Sequence, residues 1–392
     1  MYNILTLNKI AKCGTSLFDA GRYNIGDNVE NPKAVLVRSA SLHEFELGNG
    51  LRAIARAGAG TNNVPVDKCT EKGIVVFNTP GANANAVKEL VLAALFLSSR
   101  KIPAAMEWVK TLKGKGDEVG ALVEKGKSNF GGPEITGKKL GVIGLGAIGA
   151  LVANAALELD MEVYGCDPFL SVDSALSLSR KIKYVKTLNE IYETCDYISV
   201  HAPANAETKG MINAETIARM KKNVRILNFA RAELADDNAV IDALANGGMA
   251  CYVTDFPTDA LLGVDGVVAI PHLGASTPES EDNCAVMAVN QVIDYLENGN
   301  IKNSVNLPNL SMNMTGDAKI CVIHKNVDGV INQVTKAIAD AKVNIENMES
   351  KSKKDYAYTV LDVSGYASGL ATAIEEIDTV VTVRVIKEVV YN

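Results

Sequence analysis

Positive charge is in short supply. The chain's 39 Lys and Arg are outnumbered by 46 Asp and Glu, for a net charge of −7. Without a basic excess there is no general attraction to a nucleic-acid backbone, although a local basic pocket for an anionic metabolite stays compatible with it. Long apolar runs are missing as well. The longest, Leu90 to Leu97, falls far short of the ~20 residues that cross a bilayer. The opening Met1-Tyr2-Asn3-Ile4-Leu5-Thr6 has no basic-then-apolar leader pattern. These absences lead us to expect no membrane partner and a cytoplasmic location. Cysteine is present but unpaired in pattern: seven residues, an odd number, with no C-x-x-C spacing. That argues against a disulfide framework or a zinc site and predicts reduced, packing thiols and no metal. Internal repeats and low-complexity tracts are also lacking. What remains is ordinary globular composition, 47% hydrophobic and 22% charged over 392 residues, enough for two or three domains.

The most informative stretch is Lys139-Leu140-Gly141-Val142-Ile143-Gly144-Leu145-Gly146-Ala147-Ile148-Gly149. An apolar strand runs into glycines at G-x-G-x-x-G spacing, and an Ala- and Leu-rich helical pattern opens directly after them. A second apolar strand, Met161 to Cys166, then ends on Asp167. This order is the dinucleotide-binding fingerprint. Gly144 permits the tight turn, Gly146 lets backbone approach a pyrophosphate, and Gly149 lets helix and sheet pack closely. The helix N-terminus at Ala147 and Ile148 offers free N–H groups to the phosphates. Asp167 can accept from both ribose hydroxyls and repels a 2′-phosphate, so the expected cofactor is NAD rather than NADP.

Three zones follow from pattern. Before Arg100, short apolar runs (Ala34 to Val37, Leu51 to Ala55, Ile74 to Phe77) alternate with turns and precede a helix, Ala84 to Ser98. From Lys139 to Leu273, strand and helix patterns alternate, which predicts a doubly wound parallel sheet. A polar helix, Glu279 to Glu297, and a linker, Asn303 to Thr315, lead to a final β-α-β-β-α-β order: Lys319 to Ile323, Gly329 to Ala341, Val343 to Glu349, Tyr356 to Val363, Leu370 to Ile377 and Val380 to Val390. That is the ferredoxin-like split unit. Three further segments place Arg231, a carboxylate (Asp255 or Asp259) and His272 after successive strands, where open α/β sheets gather their active sites.

The chain resembles the D-isomer-specific 2-hydroxyacid dehydrogenases. The resemblance rests on Val37-Arg38-Ser39, Arg56 to Asn63, Asn78-Thr79-Pro80-Gly81, the glycine fingerprint, Ser199-Val200-His201-Ala202-Pro203, Asn228 to Arg231 and Pro271 to Thr277. It implies an α/β enzyme: a doubly wound parallel-sheet NAD domain (99–275), a flavodoxin-like substrate domain (1–98 and 276–306) and a C-terminal ferredoxin-like ACT regulatory domain (317–392). By the same resemblance His272 is the general base, Asp259 orients it, and Arg231 holds the substrate carboxylate and polarises the C2 oxygen. Backbone N–H groups at Ala59 and Gly60 help grip that carboxylate. Arg38, with Ser39, and Arg56 receive a 3-phosphate. The cofactor is lined by Ala202, Pro203, Phe229, Ala230 and Gly274, with Asp255 facing the nicotinamide.

Some positions depart from the family pattern. Asp259 stands where Glu is usual, Ala232 where Gly or Pro is usual, Ala147 lacks a side chain, and Thr254 occupies the register expected of an Asp that has moved to 255. His324, Asn326 and Asn344 match an effector corner that in some family members takes serine, while Asp328 replaces a proline there. The implied partners are a small phosphorylated 2-hydroxy acid and further copies of the chain, as a homodimer or homotetramer. The implied C-terminal domain is separable, since no candidate catalytic residue lies beyond His272. Two other readings stay open: a dehydrogenase acting on glycerate, lactate or a bulkier acid, and an NAD-sensing binding protein of the same fold.

Overall fold

A computed structural model describes residues 1–387, so positions 388–390 of the predicted last strand lie outside the described residues. The chain divides into two compact units, 1–82 with 281–392, and 83–280.

In the first unit, β1 (Tyr2–Leu7), β2 (Tyr23–Gly26), β3 (Ala34–Val37), β4 (Ala53–Arg56) and β5 (Val75–Phe77) form a parallel sheet in the order β2-β1-β3-β4-β5. This is the flavodoxin-like arrangement. The four residues of β3 are all buried, as expected of a central parallel strand covered on both faces. The helix Pro278–Asn298 contributes Cys284, Ala288, Val289, Val292, Tyr295 and Leu296 to one core with Ile4, Leu36 and Phe77.

The C-terminal residues of this unit form a four-stranded antiparallel sheet, β13 (Ala318–Lys325), β14 (Asn344–Lys353), β15 (Tyr356–Ser364) and β16 (Val380–Lys387), in the order β14-β15-β13-β16. Helices Val330–Asp340 and Leu370–Glu375 cross over it, completing the ferredoxin-like split unit. Sequence reading expected 317–392 to stand apart, yet Cys321, Ile323, Tyr358 and Val360 belong to the same hydrophobic core as Ile4 and Phe77. Polar ties reinforce the junction: Tyr358 Oη donates to Gly299 O (2.6 Å), and Lys319 Nζ to Asn298 O (2.7 Å) and Met312 O (2.6 Å). Cys321, Ile323, Tyr358 and Val360 lie on the face of β13 and β15 turned away from the crossover helices, and burying them in the core of the first sheet removes them from water.

The second unit holds β6 (Lys139–Ile143), β7 (Glu162–Cys166), β8 (Lys183–Tyr184), β9 (Tyr197–Val200), β10 (Val224–Asn228), β11 (Met249–Thr254) and β12 (Val267–Ala269). Their order, β12-β11-β10-β9-β6-β7-β8, is parallel throughout and doubly wound, with the order reversing between β6 and β9. The helix Ala84–Arg100, which the sequence placed with the substrate domain, sits in this unit. Its apolar face of Val87, Val91, Ala94 and Leu95 packs on Leu140, Val142, Val152 and Ala153. Six of the seven cysteines are buried and all are free. Burial lifts the Cys69 and Cys251 thiols to about 11, which keeps them protonated packing groups. Among the described residues no helix is long and apolar enough to cross a membrane.

Candidate active site

The turn after β6 lies where the strand order reverses, the place at which open α/β sheets bind ligands. Gly144 has φ +89°, and a Cβ there would lie 2.8 Å from His201 O. Gly149, in the first turn of the helix Ala147–Glu158, passes so close to the strand that a Cβ would fall 1.9 Å from Gly144 O. A Cβ on Gly146 meets no atom within 4 Å. That glycine therefore has no packing reason to lack a side chain, and the open space over it suits an approaching pyrophosphate. Gly146 is also the N-cap of the helix and supplies no side-chain cap, so the N–H groups of the first turn stay available to phosphate oxygens. Asp167 ends β7 and braces this loop, accepting from Leu145 N (2.8 Å) and Phe169 N (2.8 Å). These features fit a dinucleotide. His201, after β9, is neutral: burial pushes it down to about 4, and its Nε2 is 2.8 Å from Ser199 Oγ. Ala202 is half-buried and Pro203 exposed beside it.

Strands β10, β11 and β12 run in register, Asn228↔Thr254↔Ala269, and the loops leaving these ends carry the other candidates. Asn228, 1% exposed, shapes the first loop. Its Nδ2 donates to Arg231 O (2.8 Å) and Tyr252 Oη (3.0 Å), and its Oδ1 accepts from Ala230 N (3.2 Å) and Arg231 N (3.4 Å). This turn buries Phe229 and leaves the Arg231 guanidinium exposed, with NH1 on Ala230 O at 2.6 Å. In the sequence Asn228 is only the first residue of the Asn228 to Arg231 motif; its positioning role needs the fold.

Asp255 is 1% exposed. Its Oδ2 accepts from Gly274 N (3.0 Å), while Oδ1 is buried without a partner. Burial raises its carboxyl above the usual range, opposed by the Gly274 N–H and the nearby charge of His272. His272 is exposed at the site, its ring 4.6 Å from that of Phe256. Asp259 begins a short 3₁₀ turn and is exposed, and its carboxylate makes no hydrogen bond or ion pair among the described residues. Of the two carboxylates, Asp255 is thus the one whose charge is coupled to His272 here. Thr254 is buried and accepts from Phe256 N through Oγ1 (3.0 Å).

In the first unit, Val37 is paired with Arg56 across β3 and β4, so Arg38 and Arg56 leave neighbouring strands at the same end. Arg56 Nε donates to Arg38 O (3.1 Å), and Asn63 Nδ2 donates to the same carbonyl (3.3 Å). Gly58 has φ +150°, and a Cβ there would lie 1.9 Å from the Arg56 guanidinium, so this glycine makes room for it. Arg38 NH2 meets Glu281 Oε1 at 2.7 Å. Asn8 supports Ser39, its Oδ1 accepting from Ser39 N (3.0 Å) and Ala40 N (2.6 Å); neither Asn8 nor Glu281 was foreseen. Ala59 O accepts from Asn78 Nδ2 (2.6 Å), and Gly60 is half-buried next to it.

The effector candidates do not gather within one chain. His324 is 3% exposed, and both ring nitrogens are engaged, Nδ1 with Lys325 O and Nε2 with Thr359 Oγ1, each at 2.8 Å. Asn326 is exposed nearby, bonded to Lys354 O (3.2 Å). Asn344 is paired with Ser364, at the other end of β15 from Tyr356, the partner of Lys325.

A doubly wound sheet with a pyrophosphate turn at its reversal point, and Arg, carboxylate and His side chains leaving adjacent strand ends, defines a dinucleotide-dependent oxidoreductase. The family model for "D-isomer specific 2-hydroxyacid dehydrogenase, NAD binding domain" matches residues 92–274. A D-3-phosphoglycerate dehydrogenase of Haemophilus influenzae is 32% identical, the match covering 83% of this chain and 79% of that one. One from Bacillus subtilis is 31% identical over 93% of this chain and 71% of its own. A solved 3-phosphoglycerate dehydrogenase of Entamoeba histolytica with NAD+ bound superposes with a TM-score of 0.61 at 26% identity, covering 78% of this chain and 98% of that one. The chain belongs to the D-isomer-specific 2-hydroxyacid dehydrogenase family and is an NAD-dependent oxidoreductase.

Proposed function

We propose that the chain oxidises D-3-phosphoglycerate to 3-phosphohydroxypyruvate by hydride transfer to NAD, the entry step to serine, in the cytoplasm and as a homo-oligomer. The observation that carries the substrate is the pair Arg38 and Arg56, leaving adjacent strand ends in a protein of net charge −7. A neutral substrate tail has no use for two such cations, whereas a phosphate dianion needs local positive charge. The names of the relatives point the same way.

The proposed division of roles follows the chain order. Residues 1–98 with 276–306 bind substrate through Arg38, Ser39, Arg56 and the backbone of Ala59 and Gly60. Residues 99–275 hold NAD, which when bound supplies the hydride acceptor. His272 takes the C2 hydroxyl proton, and Asp259 closes on the imidazole to favour its protonated form. Arg231 clamps the substrate carboxylate through its planar fork. Asp255, with one oxygen bonded to Gly274 N–H and the other open, accepts from the nicotinamide carboxamide. Residues 317–392 bind an effector at His324, Asn326 and Asn344, with serine as the candidate.

Initial rates of NADH formation with 3-phosphoglycerate, glycerate and lactate test the reaction. We expect 3-phosphoglycerate to dominate, and Arg38→Ala to raise its KM by about tenfold or more, since a charge-assisted contact contributes on the order of 1.5–3 kcal/mol. Comparable rates on glycerate, or an equal KM change for an unphosphorylated acid, would remove the phosphate assignment.

A further inference from the structure

The first unit carries a second cluster of cations, at the opposite end of the strands that lead to Arg38 and Arg56. Lys33 and Arg52 stand immediately before β3 and β4, which pair from Ala34↔Ala53 to Val37↔Arg56. They are adjacent, Arg52 N donating to Lys33 O at 2.9 Å. Both residues line a cavity of about 350 Å³ with Arg22 and, from β16, Arg384. Each strand thus has a cation at either end, the two clusters separated by the length of β3, on the order of 13 Å at 3.3 Å per residue.

The charges in this crease are unbalanced. Glu297 is the one carboxylate on its wall among the described residues. It is already occupied, taking a bond from Arg22 NH1 (2.8 Å) and another from Tyr23 Oη (2.6 Å). Arg52 reaches a neutral acceptor, Thr382 Oγ1, at 2.9 Å. Arg384 is held rigid: it donates to Tyr295 O (3.1 Å) and Leu296 O (2.9 Å) in the last turn of the helix Pro278–Asn298, and lies 4.5 Å over the Tyr295 ring. Lys387 is on the other face of β16, its ammonium 4.6 Å over the ring of Tyr366 beside the crossover-helix core. Lys33 and Arg52 are half-buried. Cations held this close in partly excluded water repel one another unless an anion lies between them.

We propose that this crease is a binding site for a small metabolite bearing two or more carboxylate or phosphate groups. The cavity suits a ligand of that size, and the guanidinium of Arg52 with the ammonium of Lys33 can take one anionic group while the charge of Arg384, on the facing wall, favours the other. Such a ligand joins β16 to the starts of β3 and β4, so it tightens the attachment of the C-terminal sheet to the first sheet. The site shares no residue with the effector candidates His324, Asn326 and Asn344, and it does not depend on which 2-hydroxy acid is the substrate.

The test is isothermal titration of the full-length protein with citrate and with inorganic phosphate at fixed ionic strength, paired with melting curves. Wild type and Arg38→Ala should both bind saturably, because the crease is separate from the substrate arginines. Lys33→Gln/Arg52→Gln should bind about tenfold or more weakly and lose the ligand-induced rise in Tm. Tighter citrate than phosphate assigns the site to polycarboxylates, and the reverse to phosphoryl groups. Wild-type affinity in Lys33→Gln/Arg52→Gln, loss of binding in Arg38→Ala alone, or an unsaturable response that chloride reproduces, would overturn the proposal.

Discussion

Asp255 is held under tension that a packing residue would not carry. It is 1% exposed, one carboxylate oxygen has no partner, and burial raises its carboxyl above the ordinary range. A raised folded-state value means that the ionised group opposes folding at neutral pH, and that this penalty fades as pH falls and the carboxyl protonates. Asp255→Asn should therefore raise Tm near pH 7, with the gain shrinking toward pH 4, while turnover with NAD falls. Melting curves across that range and steady-state rates check both halves. A variant less stable at pH 7, or one with full activity, would show that Asp255 is structural. Function sites commonly hold such local strain at the expense of stability.

At the scale of elements, the glycines of the β6 turn differ in what packs on them. Gly149 is a packing residue: its added Cβ would fall 1.9 Å from Gly144 O, so the helix Ala147–Glu158 must move off the strand. Gly149→Ala should cost roughly 1–3 kcal/mol or more of stability through overpacking. Gly146 meets nothing within 4 Å, so Gly146→Ala should leave Tm nearly unchanged and yet weaken NAD by about tenfold, through a methyl in the pyrophosphate path. Calorimetric melting and NAD titration distinguish the two. A Gly146→Ala protein with unaltered NAD affinity would place the pyrophosphate elsewhere. The motif spacing alone assigns both glycines to one fingerprint; only the contacts divide their tasks.

At the scale of the molecule, the junction between the first sheet and the C-terminal sheet changes what truncation should do. A chain ending before Asp317 loses Cys321, Ile323, Tyr358 and Val360 from the core they share with Ile4 and Phe77. It also loses Arg384, Lys319 and Tyr358, which donate hydrogen bonds to the last carbonyls of the helix Pro278–Asn298 and its exit. Several apolar side chains removed together, at about 1.5–3 kcal/mol for each buried one, should leave the remainder unstable rather than freely competent. Light scattering and circular dichroism of the truncated chain check this. A folded, fully active product would restore the separable domain that sequence reading expected.

Much of this protein is legible along the chain, because its signals are local. The periods of strand and helix, the G-x-G-x-x-G turn and Asp167 lie within one stretch of sequence, and each follows from backbone sterics or a nearby charge. The Arg, carboxylate and His candidates were legible for the same reason, each falling next to a strand end. The β1 and β2 strands were not, since their half-buried Tyr2–Leu7 and Tyr23–Gly26 pairings depend on partners far along the chain. Nor could sequence show that the helix Ala84–Arg100 packs on the NAD-domain sheet, that Asn228 and Asn8 hold the Arg231 and Arg38 turns, or that Lys33 and Arg52 share a crease with Arg384. Those depend on which surfaces meet, and burial and charge act through space without regard to sequence separation.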